Sequence, residues 1–134
     1  MTVIVIDASA IAKYILKEEG WEHLEQYLAM GPVSVDHALL EVTNAVWKHF
    51  VLYEWVDKEI AEKMFRAIDL LPNVIPFERF QGYLKEAREI AVECRISVYD
   101  SLYISQARKY GTLLTSDKKQ GKIAEGLGIN VIFI

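Results

Sequence analysis

The fold of this chain is decided first by the stretch VIVIDASA at residues 3–10. Its first four residues are β-branched and apolar, as in a strand that is buried on both faces of a parallel sheet. The residues that follow change to helical spacing, and we predict a helix at residues 9–17. Asp7 lies at the junction between them. The stretch therefore predicts an α/β fold whose first strand ends in a carboxylate.

Short apolar runs and longer helical patterns alternate along the rest of the chain. We predict further strands at residues 33–35, 74–77, 112–115 and 130–133, with Pro76 indicating an edge position for the third strand. We predict further helices at residues 21–29, 36–54, 57–71, 80–94, 98–110 and 118–125, with Asp57 as an N-cap and Gly111 as a stop. This alternation predicts a single α/β domain over residues 1–134, with a parallel sheet between two layers of helices.

The composition fits one globular domain and limits its function. The chain has 134 residues, of which 52% are hydrophobic and 25% charged, and its net charge is −4. That charge excludes binding of nucleic acid through overall positive charge, but a nuclease needs basic residues only along one cleft. The single cysteine, Cys94, excludes an intrachain disulfide, fits a reducing cytoplasm and is expected to be a small buried hydrophobe. We expect neither a signal peptide nor a membrane span, because Asp7 and Lys13 interrupt the first apolar run.

Four acidic residues are predicted at the carboxyl edge of the sheet. Asp7 follows the first strand, Glu41 lies early in the helix after the second, Asp100 begins the helix before the fourth, and Asp117 follows the fourth. Open α/β sheets bind their ligands at this edge. Grouped carboxylates repel one another unless a cation compensates, and hard oxygen ligands suit Mg²⁺ or Mn²⁺. The pattern therefore predicts a metal site able to activate water and to stabilise charge at phosphorus.

Each acid also has a purely structural interpretation. Asp7 and Asp117 could cap the helices that follow them, and Asp100 could form a capping box with Ser97. Glu41 interrupts an apolar run, where an unpaired carboxylate is costly, although a rim position is an alternative. Four independent caps at one edge are less expected than any single cap, so the joint pattern favours a site.

The three histidines argue against a zinc site. His23, His37 and His49 lack the close spacing of zinc ligands. His37 lies one helical turn before Glu41 and could flank the acidic site, or it could be an ordinary surface or hydrogen-bonded histidine.

Four motifs carry a family resemblance, namely VIDASA at residues 5–10, LLEVTNA at 39–45, SVYDSLY at 97–103 and LLTSD at 113–117. In this order and spacing the chain resembles PIN-domain ribonucleases of the VapC toxin type. The resemblance implies a three-layer fold with a five-stranded parallel sheet of order 3-2-1-4-5. It also implies a ribonuclease site in which Asp7, Glu41, Asp100 and Asp117 hold Mg²⁺ or Mn²⁺.

The same resemblance implies supporting roles for Ser9, Asn44 and Thr115 beside the carboxylates. Each also has a structural alternative. Ser9 could cap a helix, Asn44 could be an exposed polar residue, and Thr115 could reflect strand propensity. Ser116 could take the part of Thr115, and the sequence does not separate them.

Basic residues predicted around this edge are candidate phosphate contacts, although ordinary solvated charge is the alternative. They are Lys13, Arg95, Lys118, Lys119 and Lys122. A single-stranded RNA suits a cleft better than a duplex does. We expect a metal-activated water to attack phosphorus in line. Asp7 and Asp100 are then the principal ligands, and the other two acids complete the site or orient water.

The helices predicted over residues 36–71 carry more apolar residues than one helical stripe needs. Among them are Trp47, Phe50, Val51, Leu52, Tyr53 and Trp55. They form either a wide core-facing surface or an exposed face for a partner. The resemblance implies a homodimer and an antitoxin that covers the dimer and blocks the site.

Other functions fit the sequence less well. A receiver-type domain needs adjacent acids after its first strand and an Asp after its third, where this chain has FER at residues 77–79. A haloacid-dehalogenase-like phosphatase needs a second Asp where this chain has Ser9. The main alternative is a catalytically inactive PIN-like module that binds RNA or protein, and the presence of all four acids argues against it.

Overall fold

The computed structural model describes residues 2–134, so Met1, with which the predicted domain begins, lies outside the described residues. The strands are β1 (Val3–Ile6), β2 (Ser34–Val35), β3 (Phe77–Glu78), β4 (Gly111–Thr115) and β5 (Asn130–Phe133). The α-helices are α1 (Ala8–Ile15), α2 (Leu24–Leu28), α3 (His37–Trp47), α4 (Lys58–Leu70), α5 (Leu84–Cys94), α6 (Val98–Tyr110) and α7 (Lys118–Gly126). Short 3₁₀ turns cover Trp21–His23, Leu71–Asn73 and Phe80–Tyr83, and a π-helical turn covers Lys48–Leu52.

The central sheet is parallel and buried on both faces, as the apolar runs predict. β4 lies between β1 and β5, with Val5 opposite Leu113 and Leu113 opposite Val131. Successive residues of a strand point to opposite faces. Ile4, Val5 and Ile6 are nevertheless all buried, so helices cover both faces and the fold has three layers.

The expected continuous sheet of order 3-2-1-4-5 is not formed. Instead, β2 pairs with β3 in a separate two-stranded sheet, and a single bridge between Val5 and Val33 links it to β1. Beyond this bridge the ladder has no strand to continue along, because β1 ends at Ile6 and α1 begins at Ala8. The carbonyl of Ile6 accepts a hydrogen bond from the hydroxyl of Ser34 at 2.6 Å. The backbone N–H of Ser34 donates away from β1, to Pro76.

Two elements have bounds that differ from those predicted. The third strand begins at Phe77 rather than residue 74, since the N–H groups of Val74 and Ile75 donate back to the carbonyl of Leu71. The helix predicted over residues 36–54 ends at residue 47 and continues only as the π-helical turn. Glu54, with a φ of 54°, adopts the left-handed conformation just beyond it.

The segment predicted as a helix over residues 21–29 begins as a 3₁₀ turn and becomes helical only at Leu24. The bounds of α6 and β5 are those predicted, and Gly111 ends α6 with a φ of 102°. Asp57 caps α4 by accepting a 2.9 Å hydrogen bond from the N–H of Ile60. Cys94, expected to be buried, is half-buried at the end of α5.

Across residues 2–134, no helix combines the length and the apolar content that a membrane crossing requires.

Candidate active site

Asp7 lies at the carboxyl end of β1 and is 1% exposed. Its Oδ1 accepts hydrogen bonds from the Ser9 hydroxyl at 2.7 Å and from the N–H of Ala10 at 2.9 Å. Its Oδ2 accepts from the Thr115 hydroxyl and, at 3.0 Å, from the side-chain amide of Gln120. A carboxylate has about four acceptor positions, so protein donors hold this one in a single orientation.

Burial has a large electrostatic effect on this carboxylate. Desolvation raises the pKa of Asp7 from 3.8 to about 6, although the hydrogen bonds from Thr115, Ala10 and Ser9 oppose the rise. The negative charge of Asp117 raises the same pKa further. Asp7 is therefore both the N-cap of α1 and one member of a repelling acidic pair.

The predicted supporting residues Ser9 and Thr115 form one polar cluster between β1 and β4. Their hydroxyl oxygens lie 3.2 Å apart. The Ser9 oxygen accepts from the N–H of Ser116 at 2.9 Å, and the Thr115 oxygen accepts from the N–H of Asp117 at 3.0 Å. Both hydroxyls thus connect the end of β1 to the loop that carries Asp117. Ser116 takes part in this cluster through its backbone.

Glu41 lies on α3, with its side chain 27% exposed. Its Oε2 accepts a hydrogen bond from the buried hydroxyl of Tyr103 on α6, and the Nδ1 of His37 lies 3.6 Å from the same oxygen. Burial raises the pKa of Glu41, as does the charge of Asp100, whereas Tyr103 and His37 lower it. Glu41 is therefore held toward the other acids despite their repulsion.

Asp100 and Asp117 are half-buried acids at the starts of two helices. Asp117 caps α7 by accepting from the N–H of Gln120 at 3.1 Å. In α6, the hydroxyl of Ser97 accepts from the N–H of Asp100 at 3.1 Å. Burial raises the pKa of Asp100, the charge of Asp117 raises it further, and Lys119 lowers it. Each of these residues therefore takes part in the capping of a helix and also belongs to the group of interacting acids.

The four predicted acids are linked in series, because the charge of one raises the pKa of the next. Asp117 acts on Asp7 and on Asp100, and Asp100 acts on Glu41. Within residues 2–134, however, no three His, Cys, Asp or Glu side chains are placed to hold one ion directly. Mg²⁺ commonly uses one or two carboxylates together with water and substrate phosphate. The donor set, which is all oxygen and mutually repelling, fits such a hard divalent cation.

Sequence reasoning missed two residues at this site, Tyr103 and Gln120. Both lie three residues after a predicted acid, Asp100 and Asp117 respectively, and so share its helical face. Both are at most 4% exposed. The spacing was visible in the sequence, but only the tertiary structure brings Tyr103 to Glu41 and Gln120 to Asp7, where each donates a hydrogen bond to the carboxylate.

A cleft of about 430 Å³ opens beside Glu41. It is lined by His37, Leu40, Glu41, Asn44 and Tyr99. Asn44, a predicted supporting residue, is exposed and contacts this cleft rather than Asp7. His37 also lines this cleft, beside Glu41, which agrees with the interpretation of the sequence in which His37 flanks the acidic site.

The basic candidates are distributed unevenly around the acids. Lys119 is close enough to Asp100 to affect its pKa, and Lys118 is exposed next to Asp117 at the start of α7. Lys13 lies in the last turn of α1, with its ammonium near Gly20, so it is at the opposite end of that helix from Asp7. Arg95 is exposed at the end of α5, in the left-handed conformation with a φ of 58°. Lys122 is exposed on α7.

Comparison with known proteins identifies the family. A model of the PIN domain matches residues 4–126, a range that includes all four acids. The chain is 30% identical over 119 residues to Ribonuclease VapC3 of Pyrobaculum aerophilum, an alignment that covers 87% of this chain and 90% of that protein. The crystal structure of PAE2754 from Pyrobaculum aerophilum has the same fold, with a TM-score of 0.70 and 22% identity over 97% of this chain and 83% of that chain. The chain therefore belongs to the PIN domain family, as a relative of the VapC-type proteins.

Proposed function

We propose that this protein is a metal-dependent ribonuclease that hydrolyses phosphodiester bonds of RNA, and that it is the toxin of a toxin–antitoxin pair. The observation that carries the proposal is the electrostatic coupling of Asp7, Glu41, Asp100 and Asp117 at one edge of the fold. Groups with pKa values shifted by burial and by neighbouring charges are typical of functional sites. The name of the relative Ribonuclease VapC3 supports the same activity.

The cation of this site is Mg²⁺ or Mn²⁺, with Asp7 and Asp100 as its principal ligands and Glu41 and Asp117 completing the site. A bound divalent ion would supply Lewis-acid chemistry, lowering the pKa of water and neutralising charge that develops on the phosphoryl oxygens. It would also reduce the mutual repulsion that raises the pKa of Asp7 and of Asp100.

The chain itself orients the reacting groups. Ser9, Thr115 and Gln120 set the orientation of the Asp7 carboxylate before a ligand binds. The Tyr103 hydroxyl holds one oxygen of Glu41. The other oxygen of Glu41 can then accept a proton from water or align that water for attack.

RNA is held as a single strand, with phosphates that flank the scissile bond contacting basic side chains. Lys119 is the best supported of these, because it already interacts with Asp100. Lys118 and Arg95 extend this basic rim. Lys13 is the least supported candidate, since its ammonium lies near Gly20.

We infer the protein partners from the exposed apolar face after α3, which begins at Trp47, the last residue of that helix. Trp47, Val51, Leu52, Tyr53 and Trp55 are each between 42% and 70% exposed. We assign this face to a homodimer, and we expect a cognate antitoxin to cover the dimer and block the acids. An RNA substrate and a single free cysteine fit a cytoplasmic location.

The test is cleavage of a mixed RNA pool by purified protein in Mg²⁺, Mn²⁺ or chelator, with the RNA ends mapped by sequencing. Asp7→Asn should abolish cleavage, and Asp57→Asn is the matched control, because both aspartates cap helices but only Asp7 belongs to the acidic cluster. Wild-type cleavage that continues in chelator would contradict the metal dependence. Normal cleavage by folded Asp7→Asn would contradict the site.

One observation favours a second candidate, a catalytically inactive module that binds RNA or protein. Four protein donors already occupy Asp7, so a cation bound there has to displace one of them. Isothermal titration with Mg²⁺ and with Mn²⁺ separates the candidates. Heat of binding that Asp7→Asn and Asp100→Asn remove supports the nuclease, and absence of binding together with absence of cleavage supports the inactive module.

A further inference from the structure

A stack of aromatic rings borders the acidic site. The ring of His37 on α3 stacks on Tyr99 of α6, with centroids 5.0 Å apart and an angle of 23° between the planes. Phe80 meets the ring of His37 edge-on at 5.9 Å. The N–H of Phe80 donates at 3.0 Å to Asp36, the residue that precedes α3. The inner part of the stack is therefore fixed by the fold.

The outer end of the stack is open. Tyr99 is 57% exposed although His37 covers one of its faces, whereas the side chain of His37 is only 15% exposed. A fixed aromatic ring with a free face is the arrangement on which unpaired bases stack in proteins that bind single-stranded nucleic acid.

The cleft beside this ring has the size and the polarity for a base. Its volume of about 430 Å³ lies within the range of small-ligand pockets, roughly 300–1,000 Å³. Leu40, which is 64% exposed, supplies an apolar wall. The amide of Asn44 offers both a hydrogen-bond donor and an acceptor to the edge of a base.

The charge of the cleft favours a base over a phosphate. Glu41 is its one charged lining residue among those the structure describes, and neither Lys nor Arg lines it. A phosphate placed there would be repelled by Glu41 and by the nearby Asp100. A neutral base stacked on Tyr99 avoids this repulsion.

We propose that Tyr99, backed by His37 and faced by Leu40 and Asn44, forms a subsite for one unpaired nucleobase next to the scissile phosphate. This proposal rests on the proposed RNA substrate. It makes Tyr99 a specificity-determining residue, since the identity of the base in the cleft affects where the RNA is cut.

The experiment measures binding of a short fluorescein-labelled single-stranded RNA of random sequence by anisotropy in chelator. The proteins compared are wild type, Tyr99→Ala, Tyr99→Phe and Val92→Ala. Loss of one stacking contact should weaken binding by Tyr99→Ala about tenfold. Tyr99→Phe keeps the ring and should bind like wild type. Val92 is also an exposed apolar residue, 81% exposed, but lies outside both the cleft and the apolar face after α3, so Val92→Ala is the control.

Photo-crosslinking with the same RNA carrying 4-thiouridine gives a second readout, and mass spectrometry should locate the crosslink on the peptide that contains Tyr99. Equal binding by Tyr99→Ala and wild type, or crosslinks only elsewhere, overturns the subsite. If wild type cuts RNA in that case, the ribonuclease proposal stands alone. If Tyr99→Ala weakens binding but wild type cuts nothing, the subsite stands and the ribonuclease proposal fails. RNA that neither wild type nor any variant binds overturns the subsite, and cleavage of the RNA pool in Mg²⁺ then decides the ribonuclease proposal separately.

Discussion

Tyr103 and Glu41 are 62 residues apart in the chain and are joined by a hydrogen bond from the tyrosine hydroxyl to Oε2 of the carboxylate. Tyr103 is 1% exposed, and both its burial and the charge of Glu41 raise its pKa well above the ordinary value. Its hydroxyl therefore stays protonated and remains a donor. Because Tyr103 is on α6 with Asp100, this bond fixes the position of α3 relative to the helix that carries another acid.

Tyr103→Phe should remove this constraint while preserving the packing of the ring. We expect cleavage to lose kcat with little change in KM, because Glu41 contacts the reaction rather than the bulk of the RNA. The free energy of unfolding should fall by about 1.5–3 kcal/mol, the value of one hydrogen bond to a charged group. Single-turnover kinetics and urea denaturation measure the two effects. Tyr14→Phe is the matched control, since the ring of Tyr14 packs edge-on against Trp21, outside the acidic cluster. An unchanged kcat would contradict the positioning role.

The raised pKa of Asp7 predicts how stability depends on pH. Between the ordinary value of 3.8 and the folded value of about 6, the folded protein binds more protons at Asp7 than the unfolded chain does. The contribution of Asp7 to stability is therefore highest below about pH 4 and is lost as the pH rises through this window. Across it, wild type should lose about 3 kcal/mol of stability relative to Asp7→Asn.

Urea denaturation of both proteins in chelator, from about pH 4 to about pH 7, measures this change. The comparison uses the slope with pH, because the asparagine also alters hydrogen bonds by an amount that does not depend on pH. A difference between the proteins that stays constant with pH would mean that Asp7 is not the titrating group.

Thr115→Val should destabilise the fold by about 2–3 kcal/mol near neutral pH. The substitution removes one of the four donors to the buried Asp7 carboxylate, and it also removes the acceptor for the N–H of Asp117. Thr43→Val is the control, because the hydroxyl of Thr43 bonds the carbonyl of Leu39 in its own helix, at 2.7 Å, and lies outside the polar cluster at Asp7. Thermal unfolding compares the two, and equal losses would show that the polar cluster has no special weight.

Divalent cations should stabilise wild type by relieving repulsion among the acids. At ten times its Kd, Mg²⁺ should raise Tm by about 5 °C. Asp100→Asn should lose this shift and Asp57→Asn should retain it. Differential scanning fluorimetry with Mg²⁺ and with chelator gives the measurement. A shift that persists in Asp100→Asn would place the ion elsewhere.

Val51→Glu should dissociate the proposed homodimer, because it puts a charge into the apolar face after α3. Val92→Glu introduces the same charge at an exposed valine of α5, 81% exposed, and should leave the dimer intact. Sedimentation velocity over micromolar concentrations reports the species present. A monomeric wild type would overturn the dimer.

The sequence alone determined the class of fold and the acids of the candidate site. The run at residues 3–6 is short, β-branched and apolar at every position, which favours a strand covered on both faces, and its alternation with helices favours a parallel sheet. Parallel strands end at a common edge, which is why Asp7 and Asp117 could be expected together although they are 110 residues apart in the chain.

Only the tertiary structure decided what surrounds those acids. Gln120 and Tyr103 look like ordinary helix residues until packing sets them against Asp7 and Glu41. The separation of β2 and β3 from the main sheet likewise appears only in the tertiary structure, where the carbonyl of Ile6 bonds the Ser34 hydroxyl and the backbone N–H of Ser34 bonds Pro76. Local patterns specify which face of an element is apolar, but hydrogen bonds between distant segments depend on how those elements pack.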